Sequence, residues 1–201
     1  MNIVIIGSGG REHALCYKLL KSSKINKIYC IPGNAGTDEI ATNIFADIND
    51  FDEIYKIVLK LNVELIVVGP EIPLVNGIVD YFEKKNIKIF GPNKKCSQLE
   101  GSKFFMKNIC KKYNIPSAKY FEISDINQIE KFLSSVSFPV VVKSDGLAAG
   151  KGVTICNNLD EVIKDVQEIL DGKFKSSNKV FIEEFLDCLL YTSPSPRDLR
   201  L

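Results

Sequence analysis

No two of the six cysteines (Cys16, Cys30, Cys96, Cys110, Cys156 and Cys188) form a C-x-x-C pair, and the sequence has a single histidine, His13. A usual structural zinc site needs clustered thiolates and imidazoles, so none is expected, and the thiols read as reduced and packed as small apolar groups. Neither sign of charge is in excess. Twenty-six basic and 25 acidic side chains leave a net charge of +1, too weak a field to gather nucleic acid or an anionic membrane surface. Long apolar runs are absent too: nothing approaches the roughly 20 residues of a membrane span. Met1 leads straight into a strand-length run, without the charged and apolar regions of a leader. No internal repeat is visible. The expectation is a cytoplasmic protein with neither membrane nor nucleic acid as partner. What remains is an ordinary globular composition, 45% hydrophobic and 25% charged over 201 residues, enough for one large or two small domains.

The most informative stretch is Lys143-Ser144-Asp145-Gly146-Leu147-Ala148-Ala149-Gly150-Lys151-Gly152-Val153. The apolar run Phe138 to Val142 before it reads as a buried strand, and Val153-Thr154-Ile155 after it favours extended chain. The glycines therefore fall at the tip of a hairpin. Three glycines in seven residues allow backbone N–H groups to face one side without a Cβ penalty, and a lysine at each end adds positive charge. This pattern suits an anion, polyphosphate above all; the competing reading is a glycine-rich hairpin that binds nothing. A Walker loop is excluded: three residues separate Gly146 from Gly150, the hydroxyl position is Gly152, and a strand follows where a helix is required.

At the amino end, Asn2 to Ile6 is a strand-length apolar run ending in Gly7-Ser8-Gly9-Gly10, and Arg11 to Lys21 has helical spacing. Ile28 to Ile31, Leu65 to Val68 and Ile87 to Phe90 repeat the strand signal, with helical stretches near Phe51 to Leu61 and Gly77 to Lys85 between them. An open parallel sheet, Rossmann-like, is the expected fold up to about Pro92. A dinucleotide site is not expected, because position 12 is Glu12 and not glycine, and the second strand ends Cys30-Ile31-Pro32-Gly33 without an acid. A single phosphate survives: the N–H groups of Gly9 and Gly10 and the helix dipole suit a monoester, with Arg11 as a further donor. Against it stands a solvated first turn at Arg11 and Glu12, with His13 structural. Pro32 to Thr37 and Val68 to Leu74 close the second and third strands on the same sheet edge, so the three loops should converge on one crevice; turn residues alone would explain them equally well.

Farther on, Gln98-Leu99-Glu100-Gly101-Ser102-Lys103 leads into a helical stretch Phe104 to Lys112, which Ser102 can cap. Ile115-Pro116 stops it, Lys119 to Ile123 is extended, and Ser124-Asp125 caps Ile126 to Ser135. Leu159 to Leu170 is helical, with Val162, Val166 and Ile169 on one face, and Val180-Phe181-Ile182 is a last strand. This gives a small α+β domain after the parallel one, with expected divisions 1–92, 93–118 as a linker of helices, 119–187, and 188–201. The last stretch has two prolines and no periodicity, and reads as foreign adapter sequence or as a disordered tail.

In wording and order, five motifs from Met1 to about Asp187 resemble the phosphoribosylamine glycine ligases (glycinamide ribonucleotide synthetases) of the ATP-grasp superfamily. They are Gly7-x-Gly9-Gly10-Arg11-Glu12-His13-Ala14-Leu15, Pro32-Gly33-Asn34-Ala35-Gly36-Thr37 with Val68-Gly69-Pro70-Glu71, Leu99-Glu100-Gly101-Ser102-Lys103, the glycine hairpin, and Val180 to Asp187. The resemblance implies a pre-ATP-grasp domain followed by an ATP-grasp flap. It implies ATP contacts at Lys103, Lys143, Gly146, Gly150, Lys151 and Gly152. Adenine would be read along Glu183, Glu184, Phe185 and Leu186. Phosphoribosylamine contacts would come from Gly9, Gly10, Arg11, Asn34, Gly69, Pro70 and Glu71. The implied reaction uses ATP and Mg²⁺ (or Mn²⁺) to join glycine to 5-phosphoribosylamine through a glycyl phosphate. No residue here is expected to act as nucleophile or proton-transfer catalyst, and the metal and glycine ligands belong to a later domain.

After Asp187 the sequence leaves the family pattern: Gly-Glu-x-x-Ser is replaced by Cys188-Leu189-Leu190-Tyr191-Thr192. The expectation is an amino-terminal fragment, monomeric and inactive alone. Two alternatives stay open, another ATP-grasp carboxylate-amine ligase and a non-catalytic phosphate- or nucleotide-binding fragment.

Overall fold

The computed structural model describes residues 1–147, 152–173 and 179–187. The chain divides into two compact units, Met1–Gly101 and a second that begins at Ser102.

In the first unit, β1 (Asn2–Gly7), β2 (Lys27–Pro32), β3 (Thr42–Asn43), β4 (Val63–Val68) and β5 (Ile89–Phe90) form a parallel sheet in the order β3-β2-β1-β4-β5. Helices α1 (Gly10–Leu19), α2 (Ala35–Asp38), α3 (Phe51–Lys60), α4 (Glu71–Asn76), α5 (Ile78–Glu83) and α6 (Lys94–Gly101) complete it. Central β1 is buried on both faces, which is why its sequence is continuously apolar and not alternating. Val4 and Ile6 pack in one core with Ile54, Val58, Ile78 and Phe82, while Ile3 and Ile5 pack in the other with Cys16, Ile28 and Cys30. Each such fully buried side chain contributes about 1.5–3 kcal/mol of transfer free energy.

Two features differ from the sequence-based expectation. The stretch predicted as loop and then one helix is two helices, α4 and α5, separated by Gly77, whose φ of +97° serves both as the end of one and the start of the next. Pro70 caps α4, and Pro73 falls in its first turn, where a missing N–H leaves no bond unmade. The two-residue β3, which pairs Thr42 and Asn43 with β2, is too short to give a period-2 signal.

The second unit contains α7 (Lys103–Lys112), β6 (Tyr120–Ile123), a 3-10 turn (Ile126–Gln128) running into α8 (Ile129–Leu133), β7 (Val140–Ser144), β8 (Val153–Cys156), α9 (Leu159–Leu170) and β9 (Val180–Glu184). Its sheet is antiparallel, in the order β6-β9-β7-β8. β7 and β8 are the two arms of the expected glycine hairpin. One face carries Val140, Val142, Cys156, Val180 and Ile182 onto Ile129 and Phe132 of α8 and Val162, Val166 and Ile169 of α9. Strand alternation puts Lys143, Phe181, Glu183, Val153 and Ile155 on the opposite face. There Phe104 of α7 stacks on Phe181, with ring centroids 6.3 Å apart, whereas Val153 and Ile155 are about half exposed (48% and 52%).

Candidate functional site

In the first unit, the loops after β1, β2 and β4 come together. Asn34 caps α2 by accepting from the Thr37 N–H, and its Nδ2 donates to the carbonyls of Ser8 (2.9 Å) and Gly9 (3.2 Å), which ties the second loop to the first. Arg11, in the first turn of α1, donates from its terminal guanidinium nitrogen to Glu71 Oε1 at 3.0 Å, tying the first loop to the start of α4. The bond from Arg11 holds the Glu71 carboxyl below the usual carboxylate range, helped by the Glu71 backbone N–H. Its bonds to Glu71 and Glu12 raise the Arg11 guanidinium, so it stays a cation throughout.

The centre of this cluster is Glu12, which the sequence pattern offered only to solvent. It is 3% exposed, its Oε2 accepts the Gly9 N–H at 2.6 Å and its Oε1 accepts Arg11 Nε at 3.1 Å. A Cβ on Gly69 would lie 1.9 Å from Glu12 Oε1, and one on Gly7 would lie 2.8 Å from Glu12 Cδ. The glycines of two strand ends thus make the space that the carboxylate fills. A signal existed in the sequence: an acid three residues after a helix cap is the second half of a capping box. Of the two amides expected to meet a phosphate, that of Gly9 is taken by Glu12, while that of Gly10 lies in the first helical turn, where no intrahelical acceptor exists. His13 packs against Gly36 of α2, where a Cβ would lie 2.8 Å from its Cε1.

In the second unit the expected residues gather at the base of the glycine hairpin. Ser102 caps α7 and donates from Oγ to Asp145 Oδ2 at 3.2 Å. Asp145 Oδ1 accepts the Lys103 N–H at 2.7 Å and the Phe104 N–H at 3.4 Å. Lys103 Nζ donates to the Gly146 carbonyl at 3.1 Å, where Gly146 turns with a φ of +82°. Gly152, at the hairpin's other root, accepts the Ser144 N–H. Lys143 Nζ donates to Glu183 Oε2 at 2.7 Å, and the other oxygen of Glu183 lies 3.3 Å from Lys107 Nζ. Glu183 is 4% exposed, so it faces the interior and not solvent. Glu184 Oε1 accepts the Lys119 N–H at 2.8 Å; beyond it Phe185 and Leu186 are exposed. Gly150, Lys151 and the stretch 188–201 lie outside the described residues. Sequence reasoning missed Lys107 and Asp145 as members of this site.

Among the described residues, no group of three or more His, Cys, Asp or Glu side chains is arranged to hold a metal ion. Residues 1–100 match the family described as phosphoribosylglycinamide synthetase, N domain, and residues 101–190 match the ATP-grasp (A) domain of the same synthetase. The chain belongs to the phosphoribosylglycinamide synthetase family. A curated synthetase relative, the phosphoribosylamine–glycine ligase of Clostridium acetobutylicum, is 44% identical over 192 residues, which are 93% of this chain and 45% of that protein. The chain therefore spans less than half the length of such synthetases. The solved phosphoribosylamine–glycine ligase of Thermotoga maritima superposes with a TM-score of 0.72 at 32% identity, over 92% of this chain and 44% of that one. The biotin carboxylase domain of the Hydrogenobacter thermophilus 2-oxoglutarate carboxylase, solved with MgADP, gives 0.75 at 17% identity over 92% of this chain and 44% of its own, a likeness of fold alone. Among the described residues no helix is long and apolar enough to cross a membrane.

Proposed function

We propose that the chain is the substrate-loop and nucleotide-flap part of an ATP-dependent carbon–nitrogen ligase that joins glycine to 5-phosphoribosylamine. The observation that carries the proposal is the pair of ammonium groups at the root of the glycine hairpin. Lys103 Nζ is anchored on the Gly146 carbonyl, and Lys143 Nζ is anchored on Glu183. Two cations beside a turn of glycine N–H groups match the charge of a triphosphate. The half-exposed Val153 and Ile155, on the same sheet face as Lys143, offer apolar surface for a purine ring. Glu183 and Glu184 end β9 with Phe185 and Leu186 after it, and the reading gives these four to adenine; Gly146 and Gly152, with Gly150 and Lys151 from the sequence pattern, it gives to the phosphates. On this reading, residues 1–92 hold the phosphoribosylamine, 93–118 lead into the ATP-grasp unit, and 119–187 carry the flap.

In the first unit, the phosphate of 5-phosphoribosylamine takes the Gly10 amide, the α1 dipole and Arg11, displacing Glu71 from the guanidinium. Glu71 is 44% exposed and can turn to the ribose or amine. Gly69 and Pro70, with Asn34 and Gly9, shape the floor. The reaction is two displacements. A glycine carboxylate oxygen attacks the γ-phosphorus and ADP leaves; the amine of phosphoribosylamine then attacks the glycyl carbonyl, phosphate leaves with the electron pair of the C–O bond, and the nitrogen gives up one proton to solvent. The residues here supply positioning and charge neutralisation, which is what phosphoryl transfer needs. Mg²⁺ or Mn²⁺, when bound, would supply neutralising charge for the phosphates; its ligands would come from the part of the relatives that this chain does not span. A cytoplasmic setting and a monomer go with this reading.

The test is phosphate release by a version of the protein extended to its relatives' length. Release is expected to require ATP, glycine and 5-phosphoribosylamine together, and the 201-residue chain is expected to make no glycinamide ribonucleotide. Equal release with other acid and amine pairs would favour a different carboxylate-amine ligase, and full activity with Lys143→Ala would overturn the assignment.

A further inference from the structure

Two lysines share one buried carboxylate in the second unit, and they are not equivalent. Lys107 is 3% exposed and has three partners: Glu183 Oε1 at 3.3 Å, Ser117 Oγ at 2.6 Å and the Ala118 carbonyl at 3.1 Å. Its ammonium also lies 5.2 Å from the centre of the Tyr120 ring. Lys143 has a side chain 26% exposed and is bonded to Glu183 Oε2. One cation is fastened in the interior, and the other stands at its edge.

We propose that Lys107 is a resident counter-cation for Glu183, and that its function is to leave Lys143 free to exchange that carboxylate for the phosphates of a nucleotide. The proposal rests on the reading that Lys143 binds phosphate. Were Lys143 the sole cation on Glu183, its departure would strand a buried carboxylate without a partner, and that penalty would oppose nucleotide binding. With Lys107 in place, the three-charge cluster carries a surplus positive charge before the nucleotide arrives and a neutral pair after Lys143 leaves. Lys107 itself cannot follow, since Ser117 and Ala118 hold it. Lys107 is in this sense a positioning residue acting through Glu183. Nothing in its local sequence, a lysine in the middle of α7, separates it from the surface lysines around it.

The experiment follows the reactivity of Lys143 toward an acetylating N-hydroxysuccinimide ester at mildly alkaline pH, read by mass spectrometry of the peptide that carries it, in the full 201-residue chain. Lys107→Met is expected to slow acetylation of Lys143 roughly tenfold, the scale of one added charge-assisted hydrogen bond, because Glu183 then holds Lys143 alone. Lys107→Arg is expected to behave as the original chain. The double variant Lys107→Met with Glu183→Gln is expected to restore the rate, since the amide no longer traps the ammonium. A merely structural Lys107 would give the opposite sign, with Lys143 acetylated faster in a loosened fold. An unchanged or faster rate in Lys107→Met, or no recovery in the double variant, overturns the proposal. Lys107→Gln, whose amide can still donate to Ser117 and Ala118, replaces Lys107→Met if the latter does not fold. Added ATP tests the reading underneath: protection of Lys143 is expected. Absence of protection, with the Lys107 series behaving as described, would discard the phosphate role and keep the counter-cation.

Discussion

Asp145 Oδ1 lies 2.7 Å from the backbone nitrogen of Lys103, so the carboxylate in the hairpin motif is a cap for the helix that begins the second unit. It also takes the Ser102 hydroxyl and the Phe104 N–H, and is itself buried. The acid of the Lys-Ser-Asp-Gly stretch thus holds α7, and with it Lys103, at the root of the hairpin. Asp145→Ala is expected to destabilise the protein by about 1–3 kcal/mol, the cost of losing a cap and leaving buried donors unpaired. The check is urea unfolding together with amide exchange, which should speed up in the first turn of α7. Unchanged exchange there would show that the cap is dispensable.

The glycines around Glu12 should differ sharply in what they tolerate. Gly69→Ala places a methyl on the Glu12 carboxylate and should cost about 1–3 kcal/mol, an overpacking effect. Gly10 has open space where a methyl would go, with no neighbouring atom within 4 Å, and should accept alanine without loss of stability. Thermal melts of the two variants decide this. Equal tolerance would mean that Glu12 can leave its pocket freely.

The pair of Arg11 and Glu71 predicts a pH response of definite sign. The folded Glu71 carboxyl titrates below its ordinary value of 4.5, so the stabilisation it brings is present above that value and is lost as the pH falls through the lower folded one. Both side chains are about half exposed, so the contribution is about 1 kcal/mol at most. In a carbon-detected NMR titration, Arg11→Gln should move the Glu71 midpoint up toward the ordinary range. A midpoint that stays put would assign the depression to the helix start.

Thiol reactivity should follow burial. Cys96 is exposed, whereas Cys16, Cys30 and Cys156 are buried. Burial, with Asp165 and Glu161 nearby, pushes the Cys156 thiol up to about 11. Cys30 is raised by its contact with Cys16, Sγ to Sγ 3.1 Å, and by burial, while the same contact lowers Cys16. At pH 8 an aromatic disulfide reagent should modify Cys96 rapidly and reach Cys30 and Cys156 only after denaturation, as mass mapping would show. Rapid native modification of Cys156 would contradict the packing of β8 under α9.

The sheet strands and the hairpin were legible because each is a local pattern. The Asn2 to Ile6 run followed by glycines is a strand-to-helix turn wherever it occurs, and Val140 to Val142 with Val153 to Ile155 declare two strands around a tip. Glu12 and Lys107 were not legible, for a common reason. A charged residue on a helix reads as solvated, and what buries each one is remote in sequence. For Glu12 the remote partner is Gly69, at the end of β4; for Lys107 it is Glu183, on β9. The helix α4 was hidden by Pro70, its cap, and Pro73, in its first turn, which read as loop until those positions are seen to need no N–H.

β9, the last strand among the described residues, is paired on one edge with β6 and on the other with β7. During synthesis, the ribosome releases β6, β7 and β8 before the strand that must lie between the first two. Until residues 180–184 emerge, two backbone edges wait open toward each other, each a template for pairing with a foreign chain. The second unit is therefore closed from its flanks inward, and the edges of β6 and β7 stay open until the strand that carries Glu183 is made.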